Sequence, residues 1–127
     1  MTTNFLILAA RICIPSVFIA LGIERIMVYL GIITGPEFSM GTIAFSAFEL
    51  AVGLMVAFGW KLRFTAGLLA IFIILDAFIS HPFWSVSSIE FHAQYLHFSK
   101  NLSAFGGLIL LIWFDIYSLD KRKEASE

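Results

Sequence analysis

The chain has 127 residues, 60% of them hydrophobic and only 13% charged, with a formal net charge of −1 and a mean hydropathy of +0.93. A soluble domain of this size has too little interior to hide so much apolar surface, so the composition excludes a soluble enzyme, a disordered chain and a secreted disulfide scaffold, and leaves an integral membrane protein. The near-neutral charge argues against a nucleic-acid partner, and the single cysteine, Cys13, excludes an internal disulfide, a Cys-rich zinc site and an iron–sulfur cluster.

About 20 predominantly apolar helical residues span a bilayer core. Hydropathy predicts four such helices, which makes the fold class all-α, an integral-membrane four-helix bundle in a single domain covering residues 1–127. The first helix is expected over about residues 5–33, interrupted by Arg11 and by the pair Glu24-Arg25. No Lys or Arg precedes this run and no small-x-small cleavage site follows it, so it reads as a retained helix and not a signal peptide. At 1.5 Å per residue it would be about 43 Å long, more than a ~30 Å core, so it tilts or lets Arg11 snorkel to the interface.

Thr34-Gly35-Pro36-Glu37 supplies the turn to a second helix over about 41–58, and Gly59-Trp60-Lys61 a tight turn to a third over about 62–80. His81-Pro82 ends the third helix, because the residue before a proline avoids the helical region. The segment 80–97 is expected as the longest connection, its Phe83-Trp84 and Phe91…Tyr95 clusters suited to the interface. A fourth helix follows over about 98–117, then a short basic tail, 118–127, whose Lys121-Arg122-Lys123 favours anionic lipid.

An even number of spans puts both termini on one side. That side carries Lys61, Arg63 and the basic tail, so the positive-inside rule predicts cytoplasmic termini and an outward-facing 80–97 segment.

Ionisable residues inside spans cost about 2.5–3.5 kcal/mol each at a helix centre, which makes them candidates for function. All four helices bring polar groups to the outer half: Glu24 and Arg25, Glu49, Asp76, then His97, Lys100 and Asn101, with His81 beside the loop. His97, Lys100, Asn101 and Ala104 fall at i, i+3, i+4 and i+7 and share a face. Thr42, Ser46, Glu49, Gly53 and Ala57 form a small-and-polar stripe, which points Glu49 into the bundle because small residues let helices approach. Two readings fit this ring: a structural ion-pair network, or a polar pocket for a small molecule. His81, His92 and His97 all lie on one side of the bundle with no H-x-x-x-H inside a helix, which argues against haem and against a tight metal site.

The arrangement resembles the DoxX family of small bacterial membrane proteins. The resemblance is carried by Phe18-Ile-Ala-Leu-Gly22-Ile-Glu-Arg25, by Phe48-Glu49-Leu-Ala-Val-Gly53, by Gly59…Arg63…Ala66-Gly67, by His81-Pro-Phe-Trp84, and above all by His97-Phe-Ser-Lys100-Asn101 through Gly107. It implies a multi-pass protein of the bacterial inner membrane linked to quinone or sulfur redox chemistry, a component of a quinone-linked oxidoreductase system with a redox partner protein. On that reading Glu49 and Asp76 relay protons and His97 is the general acid or base. Lys100, Asn101 and Arg25, with Glu24 and His81, bind a quinone-like or small reduced substrate. Three alternatives remain from the residues themselves: a small proton-coupled transporter in which Glu49 exchanges a proton for a cationic substrate, a non-catalytic assembly subunit, or a lipid-binding one. Any of these is compatible with a homo-oligomer.

Overall fold

A computed structural model describes the backbone of residues 2–126 and the side chains of residues 5–126. Its helices are α1 (Thr2–Cys13), α2 (Ser16–Tyr29), α3 (Met40–Phe58), α4 (Leu62–Ser80) and α5 (Ser88–Glu124), with a 3-10 turn at Phe83–Ser85 and no strand among the described residues. Four helical segments are long and apolar enough to cross a membrane, α1 and α2 together making the first. The fold is an all-α membrane four-helix bundle.

The first apolar run is two helices because of Pro15. It lacks an N–H, and its ring displaces the carbonyl four residues back, at Arg11. The break is filled locally: Ser16 Oγ donates to the Cys13 carbonyl at 2.7 Å, and the N–H groups of Phe18 and Ile19 both bond the Pro15 carbonyl at 3.0 Å. The run also stops short of residue 33. Gly31 takes the left-handed conformation (φ 70°), and the Ile32 N–H reaches back to the Met27 carbonyl at 2.9 Å, which closes the helix in a Schellman-type cap.

α3 starts at Ser39, whose side chain accepts the Thr42 N–H at 3.1 Å. It ends at Gly59, also left-handed at φ 75°. Arg11 caps this end: its Nε and Nη2 donate to the Ala57 carbonyl at 3.3 and 3.1 Å, placing a cation at the negative end of the helix dipole. Arg11 is therefore tied to the protein instead of snorkelling freely.

α4 ends before Pro82 as expected, but the segment 80–97 is only partly a connection. Residues 88–97 are the opening turns of α5, whose 37 residues run about 55 Å. The start is written in Ser87-Ser-Ile-Glu90, which has the spacing of a capping box, although here the two side chains bond each other, Ser87 Oγ donating to Glu90 Oε2 at 3.3 Å, and not the backbone N–H groups. The aromatic clusters of this segment pack on one another. The Phe83 ring meets Phe91, Tyr95 and Phe98 edge-on at 5.8, 5.2 and 5.1 Å between centroids, pairs worth about 0.5–1.5 kcal/mol each beyond burial.

In lipid the helices gain nothing from hiding apolar surface, so they associate by close packing. A Cβ on Gly22 would sit 2.9 Å from both the Leu50 Cβ and the Ser46 carbonyl, so α2 and α3 touch backbone to backbone there. Phe18, Val56, Leu69, Ile73 and Leu108 fill the centre. Phe58, Phe64, Ile71, Ile79 and Leu110 are exposed and face lipid. α3 and α4 are pinned by the short Gly59–Lys61 turn at the end of the bundle that holds both termini, here the terminal end. At the opposite, distal end a cavity opens between them.

Candidate functional site

The distal cavity has a volume of about 530 Å³. Thr42, Phe45 and Glu49 line it from α3, Phe72 and Asp76 from α4. Arg25 of α2 and His81 also line it. The helical spacing of Thr42, Phe45 and Glu49 puts them on one face, and Phe72 and Asp76 are one turn apart.

Glu49 is only 4% exposed. Among the described residues its carboxylate has no hydrogen bond and no ion pair, and its oxygens open on the cavity. The other polar groups are partly engaged. Arg25 Nη1 donates to Ser46 Oγ at 3.1 Å, and its guanidinium lies 5.8 Å over the Phe38 ring. Asp76 Oδ2 accepts from Asn101 Nδ2 at 2.9 Å and sits 3.5 Å from His81 Nε2. Neither Lys100 nor Arg25 lies within ion-pair distance of Asp76 among the described residues. His81 Nδ1 lies 2.8 Å from Gln94 Oε1, and the His81 ring stacks on His97 at 4.9 Å.

The cavity thus gathers Arg25, Glu49, Asp76 and His81 of the residues expected from sequence. It does not gather the others. His97 backs His81 from behind. Lys100 is half-buried but turns to Phe18, its Nζ 5.6 Å over the ring. Asn101 is fully buried, its amide donor taken by Asp76 and its Oδ1 without a partner. Glu24 is exposed on the outer face of α2, as its 100° offset from Arg25 dictates. Four further residues complete the site beyond the expected ones: Ser46, which holds Arg25, Gln94, which holds His81, and the walls Phe45 and Phe72, whose rings lie 6.3 Å apart. Gln94 lies three residues before His97 on one helical face, a signal that was available.

Lys100 and Asn101 lie outside the cavity, and the donors that line it are Arg25, Thr42 and His81. Two carboxylates face the same space, one of them free. Among the described residues no three His, Cys, Asp or Glu side chains are placed to hold a metal ion.

The family model of the SURF4 family matches residues 1–125. The inner membrane protein YqjF of Escherichia coli (strain K12) is 36% identical over 110 residues, covering 83% of this chain and 80% of that protein. No solved structure matches. These matches overturn the resemblance to DoxX. That resemblance rested on short blocks of small residues and charges at helical spacing, a pattern that close packing asks of any polar-cored membrane bundle, whereas the family match runs over residues 1–125. The chain belongs to the SURF4 family.

Proposed function

We propose that this is a multi-pass inner-membrane protein with both termini in the cytoplasm, and that its distal cavity binds a small organic cation anchored on Glu49. The inner-membrane location follows the name of its Escherichia coli relative, and the orientation follows the Lys and Arg bias. One observation carries the ligand reading: a buried carboxylate, free of partners among the described residues, opens on a 530 Å³ cavity with aromatic walls. A charge in a low-dielectric site is costly unless paired, and a ring that only pinned helices would pair its charges internally. Glu49 instead keeps its acceptors for a guest. Aromatic faces at Phe45 and Phe72 attract cations, and Asp76 adds a second acid. In the absence of the guest a proton does the same work, so the site suits exchange of a proton for the cation.

The quinone-linked reading loses the DoxX resemblance that suggested it. The test is equilibrium binding of tetraphenylphosphonium, a lipophilic cation, to the protein in lipid nanodiscs. The wild type and Glu37→Gln, a change in the α2–α3 connection, are expected to bind alike. Glu49→Gln is expected to lose at least about tenfold, the scale of one charge-assisted contact. Equal binding by wild type and Glu49→Gln would sink the assignment.

A further inference from the structure

A second polar recess lies at the terminal end, some 460 Å³ in volume, where α1 and α5 both run on past the α3–α4 turn. Its floor is apolar, from Ile7, Leu8, Leu62 and Phe114. Its polar rim is Arg11, Asp115, Ser118 and Arg122. A neighbouring recess shares Asp115 and adds Lys61 and Arg63. Four bases thus surround one acid, and Asp115 has no ion pair among the described residues.

The depth of this recess is marked by aromatic residues. Trp60 lies in the α3–α4 turn, and Trp113 and Tyr117 stack at 5.4 Å on the neighbouring stretch of α5. Trp and Tyr gather at the headgroup level of a bilayer, so Arg11 and Asp115 lie near that level, with Phe114 on its acyl-chain side and Ile7 and Leu8, one turn before Arg11 on the inward-running α1, on its terminal side. Arg11 is held in place by its bonds to the Ala57 carbonyl through Nε and Nη2, which leaves Nη1 free to donate. Arg122, one turn beyond Ser118 on α5, lines the same recess.

We propose that this recess is a specific seat for an anionic phospholipid with a hydroxylated headgroup, of the phosphatidylglycerol type. The phosphodiester oxygens accept from Arg11 and Arg122, the pairing for which guanidinium geometry is suited. Asp115 accepts from a headgroup hydroxyl. One acyl chain lies on Phe114, on the membrane side of Asp115. The site is independent of the distal cavity and of whatever binds there.

Native mass spectrometry of the protein exchanged into mixed phosphatidylglycerol and phosphatidylcholine nanodiscs tests this. The wild type is expected to retain phosphatidylglycerol, and Arg122→Gln to retain about tenfold less, the scale of one charge-assisted contact. Lys123→Gln removes the same charge from the adjacent, non-lining position and is expected to change retention by less than about twofold. Asp115→Asn separates the two roles of the rim. It is expected to lower retention of phosphatidylglycerol relative to phosphatidic acid, which lacks the headgroup hydroxyls, whereas simple attraction of charge would raise both. Equal losses in Arg122→Gln and Lys123→Gln would overturn the proposal in favour of a diffuse basic tail. So would competition by glycerol phosphate in solution as effective as the lipid, since the seat would then be a phosphate site without a lipid floor.

Discussion

Glu49, Glu24 and Lys100 lie in membrane-spanning helices, and the fold gives each a different setting. Glu49 is buried against a cavity, Glu24 is exposed on the outer face of α2, and Lys100 lies over the Phe18 ring. Glu24→Gln is expected to leave tetraphenylphosphonium binding unchanged, measured beside Glu49→Gln by the same dialysis, because its carboxylate does not reach the cavity. Lys100→Met keeps the length of the side chain and removes its charge. Breaking a buried ion pair would cost about 3–5 kcal/mol, but Lys100 has no acid within ion-pair distance among the described residues, and its ammonium contacts the Phe18 ring. Its loss should therefore cost about 0.5–2 kcal/mol, the range of a cation–π contact, read as a small drop in Tm in detergent with binding retained. The depth of these residues was legible in the sequence, since helical spacing alone brings them to one end. Their directions were not: a rotation of one residue, about 100°, separates Glu24 from Arg25, and only the packed neighbours decide which of the two faces in.

The helices follow from the residues at their ends more than from their apolar middles. Hydropathy places the four spans, yet it cannot see that Pro15 divides the first, that Gly31 ends it early, or that Ser87 and Glu90 begin α5 well before the apolar stretch. Each of those is a signal of one or two residues inside a run whose mean hydropathy hardly changes. The contacts between elements are tested at two points. Gly22 lets α2 lie against Ser46 and Leu50, and Ser46 is what holds Arg25 at the cavity. Gly22→Ala forces the two backbones apart and is expected to cost about 1–3 kcal/mol, as overpacking does, with weaker cation binding in the fraction that stays folded. Arg11→Ala leaves the last carbonyls of α3 without their donor. A thermal shift corresponding to about 1–3 kcal/mol is expected, with cation binding at the far end of the bundle unaffected.

At the scale of the whole molecule, the two ends of the bundle have different chemistry. The terminal end is basic and ringed by Trp60, Trp113 and Tyr117. The distal end holds the acid-lined cavity under the Phe83 aromatic cluster. On the proposed orientation, drawn from the charge bias, the distal end lies outside. Cys13 is the only native cysteine, so a Cys13→Ala background carrying Glu90→Cys or Ala125→Cys reports the topology. Impermeant maleimide added to intact cells is expected to label position 90 and not position 125, and the reverse pattern would invert the assignment. The central claim is that Glu49 is a free acid waiting for a cationic guest, and its most direct test is chemical. A hydrophobic carbodiimide, which modifies carboxyl groups in apolar surroundings, is applied to the protein in nanodiscs and the adducts are mapped by peptide mass spectrometry. Modification at Glu49 is expected, suppressed by tetraphenylphosphonium and not by the equally bulky anion tetraphenylborate. Failure of the cation to protect Glu49, or equal protection by the anion, would contradict the account.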